Sequence, residues 1–192
     1  MKIRILTAED AASYWELRLE ALERDPEAFG ASAEEHRSMS RQDVIARLCA
    51  DPVNNFVSGA FVDRRLVGTA GVYRDKGLKE RHKGHVWGVY VTGEMRSRGI
   101  GKRLLESVLD RAATVPGIEQ IMLAVAATQD AAISLYRSLG FETYGCEPRA
   151  LKVGSRYIDE EHMVLTVDRW LNRKGAVEAE FASKRGKNKK RP

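Results

Sequence analysis

Between a β-rich run, Val86 to Val91, and an amphipathic stretch starting at Ile100 lies the segment Arg96-Ser97-Arg98-Gly99-Ile100-Gly101-Lys102. A strand that turns into a helix through glycines leaves the first helical N–H groups free, and these converge on negatively charged oxygens. Gly99 and Gly101 carry no β-carbon, so a ligand can approach the main chain closely. Leu104, Leu105, Val108, Leu109 and Ala112 recur at helical spacing, which predicts a helix over Ile100 to Thr114 with one face on a sheet. The spacing fits neither the GxxxxGK[ST] of a triphosphate loop nor the GxGxxG of a dinucleotide fold. An ordinary strand-to-helix turn would also use these glycines, so the loop alone does not decide.

A second segment, Thr128-Gln129-Asp130-Ala131-Ala132-Ile133-Ser134-Leu135-Tyr136-Arg137-Ser138-Leu139-Gly140-Phe141, predicts a helix over Asp130 to Leu139. Thr128 or Asp130 is expected to cap it and Gly140 to end it. Together, the R-x-x-G-x-G loop after Val89-Tyr90-Val91 and the L-Y-x-x-x-G-F segment resemble the coenzyme A motifs of the GNAT superfamily of acyl-CoA N-acyltransferases, in that family's order. The resemblance covers residues 1 to about 168 and is strongest from Val86 to Phe141. It implies an α/β (α+β) GNAT fold, a mixed central sheet with helices on both faces.

The resemblance also implies acetyl-CoA as co-substrate. The pyrophosphate would be held by the backbone of Arg96, Ser97, Arg98, Gly99, Ile100, Gly101 and Lys102, with the Arg98 and Lys102 side chains as additional contacts. The main chain of Val89, Tyr90 and Val91 would pair with the pantetheine arm as an added strand, and an N–H there would donate to the thioester carbonyl. Gln129 stands where the family often has asparagine; its amide keeps the same donors and acceptor with one more methylene. Tyr136 would be the general acid, since a phenol is protonated at neutral pH and can donate to a leaving thiolate.

The base is less defined. In some histone-acetylating relatives a carboxylate stands six residues before the last apolar position of the coenzyme strand, and counting back from Val91 reaches His85. Imidazole suits proton relay through water. Glu34 and Glu35 are the rivals, and His162 and Glu161 could face the acceptor groove or the core. The implied acceptor is a primary amine on a small molecule or a peptide N-terminus. The alternatives are a longer-chain acyl donor or a non-catalytic acyl-CoA-binding module.

The 192 residues suffice for one domain with a full core. Cys49 and Cys146 suggest neither a disulfide framework nor a metal site, the expected metal set is none, and a reducing cytoplasm fits best. No apolar leader and no run of 18 apolar residues stands in the sequence, so neither export nor a membrane partner is expected. Residues 173–192 hold eight basic and two acidic residues, net +6, so that residues 1–172 carry −1 of the total +5. The expected division is a catalytic domain over 1–170 and a basic, flexible tail over 171–192, with nucleic acid unlikely as a partner except through the tail. The choice between monomer and homodimer stays open.

Along the chain, Lys2 to Leu6 reads as a strand and Thr7 as the cap of a helix presenting Ala11, Ala12, Trp15, Leu19 and Leu22 on one face. Glu27 to Met39 reads as irregular, and Ser40 as the cap of a helix over Arg41 to Ala50. Phe56 to Val62 and Leu66 to Tyr73 form a hairpin, followed by a strand at Ile118 to Ala126. The last hairpin spans Glu142 to Lys152 and Tyr157 to Val167.

Overall fold

Asp63 and Arg64, both with left-handed backbone (φ 48° and 68°), make a two-residue turn that joins β2 (Asn55–Val62) to β3 (Arg65–Arg74) as an antiparallel hairpin. The computed structural model describes residues 1–49 and 51–176. Ala50, the expected end of the second helix, and residues 177–192 of the expected tail lie outside these.

Before the hairpin, β1 (Lys2–Ile5) leads to Thr7, which caps a 3-10 turn (Ala8–Asp10) running into α1 (Ala11–Arg24). Asp10 accepts from the Thr7 N–H at 2.8 Å and from both terminal nitrogens of Arg4 at 2.6 and 2.7 Å, tying turn to strand. The face that α1 buries is Ala11, Tyr14, Leu17, Arg18, Ala21 and Leu22, not the expected set with Ala12, Trp15 and Leu19. Tyr14 and Arg18 carry polar ends, but their ring and stem pack like apolar groups, and this rotates the buried stripe.

The stretch Glu27 to Met39 is not irregular throughout. Ser32 and Glu35 cap each other, Ser32 Oγ accepting from the Glu35 N–H at 3.1 Å and Glu35 from the Ser32 N–H at 2.8 Å, and α2 (Ala33–Ser38) follows. The S-x-x-E signal for this helix is present in the sequence. α3 (Arg41–Cys49) buries Val44 and Leu48.

β4 (Lys83–Val91), α4 (Ile100–Ala113), β5 (Gln120–Ala126), α5 (Asp130–Leu139), β6 (Glu142–Val153) and β7 (Arg156–Thr166) complete the sheet and its cover. The strand order is β1-β2-β3-β4-β5-β7-β6, with β4 and β5 parallel and the other neighbours antiparallel. The sheet is therefore mixed. α4 and α5 cover one face over Leu104, Leu105, Leu109, Ile121 and Met163, while α1 and α3 cover the other over Leu6, Val57 and Leu66. Each such large apolar side chain contributes roughly 1.5–3 kcal/mol by burial.

A further helix, α6, begins at residue 167 and is described to residue 176. Buried Trp170 donates its indole N–H to Asp110 at 3.0 Å, Lys174 reaches the same carboxylate at 2.6 Å, and Arg173 donates to the Ser138 carbonyl at 2.6 Å. Ordered contacts thus run past Trp170 and lock this helix onto α4 and α5.

Candidate active site

β4 and β5 pair only through Lys83–His85 and Gln120–Met122, and then part. The cause lies in β4, where Gly88 has φ 61° and the register against β3 slips between Thr69 and Gly71. A bulge of this kind bends its strand away from a neighbour. The opening is a cavity of about 500 Å³, within the usual size of a small-molecule site. Val89, Tyr90 and Val91 form one wall, Leu123 to Val125 the opposite wall, and Leu135 and Tyr136 of α5 line it as well.

The mouth of the cavity is the start of α4. Ser97 and Gly99 take left-handed backbone (φ 61° and 74°), and the Arg103 N–H donating to the Gly99 carbonyl at 3.2 Å is the first bond of the helix. The N–H groups of Ile100, Gly101 and Lys102 precede it and so have no partner within the helix. A β-carbon built on Gly101 would stand 3.4 Å from Leu135 and 3.8 Å from Val91, both of which line the cavity. Arg96, Ser97, Gly99, Ile100, Gly101 and Lys102 line the mouth, but Arg98 does not. The two left-handed residues flanking Arg98 leave its side chain exposed to solvent. Arg96 is engaged by the Val91 carbonyl at 3.0 Å and by Asp25.

Tyr136 is buried, lines the cavity and packs edge-on against Phe141 at 5.9 Å. Burial pushes its phenol well above the ordinary range, so it holds its proton at any working pH. Gln129 lines the cavity from the N-cap position of α5, and neither it, Thr128 nor Asp130 makes a side-chain cap. The expected cap therefore does not form, and the helix starts bare beside the cavity. Tyr90 lines the wall while its hydroxyl donates to Glu20 at 2.9 Å, and burial together with that carboxylate pushes the phenol up to about 12.

His85 is not among the lining residues. It sits at the apex, the last β4 residue paired with β5, with Nε2 2.9 Å from Asp75 and its ring stacked on Tyr73. By strand alternation it shares a face with Trp87. Glu34 and Glu35 lie exposed on α2, and the Ser32 N–H and hydroxyl hold the Glu35 carboxylate below its usual range. Glu161 turns to α5, accepting from Arg137 at 3.0 Å, while His162 turns to the opposite face with Glu147 at 3.1 Å. Glu160, which sequence reasoning does not single out, lies on β7 paired with Glu147; burial raises its carboxyl, and the neighbouring Glu147 adds to the effect. Its signal is tertiary, because only the β6–β7 register brings the two acids together.

A mixed sheet split between two parallel strands, with a glycine-rich helix start at the mouth of the split, is the architecture of the GNAT fold. Residues 14–141 match the model of the Acetyltransferase (GNAT) family, and the chain belongs to that family. It is 38% identical over 107 residues to the N-alpha-acetyltransferase RimI of Mycobacterium tuberculosis, covering 56% of this chain and 64% of that protein. It is 34% identical over 80 residues to the L-methionine sulfoximine/L-methionine sulfone acetyltransferase of Pseudomonas aeruginosa, covering 42% of this chain and 46% of that one. The chain thus spans less than two thirds of either relative. Among solved structures, YncA of Salmonella typhimurium, determined with its cofactor acetyl-CoA, superposes with a TM-score of 0.77 at 22% identity, over 87% of this chain and 94% of that one. No helix among the described residues is long and apolar enough to cross a membrane.

Proposed function

We propose that this chain transfers the acetyl group of acetyl-CoA directly to a primary amine, on a small molecule or a peptide N-terminus. The observation that carries the reading is the cavity between β4 and β5, which runs from free helical N–H groups at its mouth to Tyr136 in its wall. The names of the two relatives, an N-alpha-acetyltransferase and an L-methionine sulfoximine/L-methionine sulfone acetyltransferase, support an amine acceptor.

The residues fit the coenzyme. The N–H groups of Ile100, Gly101 and Lys102 suit the pyrophosphate, and the unpaired edge of β4 suits the amides of the pantetheine arm. The thioester supplies an acetyl group already activated for attack by nitrogen. The Val89 N–H donates to its carbonyl oxygen, where negative charge develops. Tyr136 donates to the departing sulfur. His85, oriented by Asp75, takes the proton that the amine nitrogen loses, through water. Holding donor and acceptor together replaces any covalent enzyme intermediate.

Release of free thiol, followed with acetyl-, butyryl- and octanoyl-CoA against a panel of primary amines, tests this reading. The expected result is amine-dependent release that is fastest with acetyl-CoA. Coenzyme binding without release with any amine would leave a binding module.

A further inference from the structure

On the face of the sheet opposite α4, the guanidinium of Arg18 is buried, its residue being only 7% exposed, and its Nε and Nη1 have no hydrogen-bond partner. Phe29 lies flat against it at 4.5 Å, and a β-carbon built on Gly88 would stand 3.9 Å from Nη1. Phe29 and Gly88 both line the cavity, and Arg18 stands directly behind them with Nη1 toward the bulge in β4. Two more buried donors on this face lack a well-aligned hydrogen bond, the hydroxyl of Tyr14, one turn earlier on α1 and within reach of Arg47, and the indole N–H of Trp87. Arg47 lies over the Trp87 ring at 5.7 Å.

No acid balances this cluster among the described residues. The charged neighbours acting on Tyr14 are Arg18 and Arg47, and those acting on Arg18 are Tyr14 and Arg47. Burial pulls the Arg18 guanidinium below its ordinary range. An unpaired buried cation with open donors is costly to a fold, and such a group is kept where a ligand completes it. The coenzyme pyrophosphate is not that ligand, since its cradle lies at the other end of β4, past Val91.

We propose that Arg18, with Tyr14 and Trp87, binds a carboxylate carried by the acceptor next to its amine, so that the acceptor is a free α-amino acid and not a peptide N-terminus. The proposal deepens the acetyltransferase reading and rests on it. Guanidinium and carboxylate match as a planar, charge-assisted pair. Gly88 adjoins the Val89 N–H assigned to the thioester carbonyl, which places the carboxylate and the attacking nitrogen within the short span that an α-amino acid provides.

The test compares the standard L-amino acids with their α-amides and their decarboxylated amines, with acetyl-CoA as donor and thiol release as readout. The best acceptor is expected to be an acid whose kcat/KM exceeds that of its amide and amine at least about tenfold, the worth of one charge-assisted pair. Arg18→Met should raise KM for the acid by a similar factor, so that the acid loses its advantage over its amide, and raise the melting temperature by about 2–4 °C, because a buried unpaired charge is removed. Arg18→Gln gives a second variant with the same expected loss of discrimination.

An amide or amine that equals its acid, or a lower melting temperature in both variants, would overturn the proposal while leaving the acetyltransferase reading intact. So would acetylation confined to amines outside the acid series. Failure of acetyl-CoA binding in the parent protein would instead sink the reading beneath it.

Discussion

Nε2 of His85 lies 2.9 Å from Oδ2 of Asp75 at the point where β4 and β5 part. The carboxylate fixes the orientation of the imidazole at that point, as an acid does that positions a general base. The low-pH limb of kcat/KM should vanish or flatten in His85→Gln. Asp75→Asn should slow the amine-dependent step, because the ring loses the carboxylate that orients it. A limb that stays in place in both variants, and disappears in Glu160→Gln, would transfer the role to Glu160.

Tyr136 is expected to act on the chemical step alone. Tyr136→Phe keeps the ring packed against Phe141, so acetyl-CoA affinity should stay within about twofold, while single-turnover release of thiol slows by about 10²-fold or more. Burial raises the phenol, so the proton stays on Tyr136 through the assay range and the parent's high-pH limb belongs to another group. A rate close to that of the parent would make Tyr136 a wall residue only.

Much of this site is legible in the sequence because local rules fix it. The glycines at 99 and 101, the helical run from Leu104 to Ala112, and Gly140 with φ 103° each act within one or two turns of chain. Tertiary placement is not local. Nothing local marks Arg18, which is covered only by Phe29 and the β4 bulge, and Glu160 meets Glu147 only through strand register. The buried face of α1 escapes the periodicity for the same reason, because Tyr14 and Arg18 bury apolar surface that a polar label conceals. The α2 helix is the opposite case, since its capping box from Ser32 to Glu35 is a local signal that stands in the sequence itself.

The link between β1 and α1 should make stability depend on acid pH. Arg4 is the main cause that holds the Asp10 carboxyl below its usual range, assisted by the Thr7 N–H. A depressed carboxyl contributes stability that is complete above the unfolded value of about 4 and is lost as pH falls through the folded value. Arg4 is partly exposed, so solvent screens the pair and Asp10→Asn should cost only about 1–2 kcal/mol at pH 7, vanishing near pH 2. Urea denaturation at the two pH values measures both. An equal loss at both would mean that the substituted amide disturbs the turn for a reason other than charge.

The docked helix after β7 should be part of the folded unit. Trp170→Ala removes a buried indole and its bond to Asp110, and should cost about 3–5 kcal/mol. Truncation after residue 176 should preserve the melting temperature within a few degrees and leave acetylation unchanged, since the described contacts of Arg173 and Lys174 remain. Thermal melts of the two variants check this, and a large loss on truncation would give residues 177–192 a structural role.

The coenzyme grip is the central claim, and calorimetric titration of acetyl-CoA into the parent and Gly101→Val tests it most directly. Gly99 would be a poor site for the substitution, because its left-handed backbone strains any side chain regardless of ligand. Gly101 lies within α4, and its β-carbon meets Leu135 and Val91 at ordinary contact distance, so Gly101→Val should fold while its branched methyls intrude on the mouth of the cavity. The account predicts binding to the parent and affinity weaker by about tenfold or more in the folded variant, the loss of at least one charge-assisted contact. Equal affinity in both would contradict it and reduce the loop to a turn.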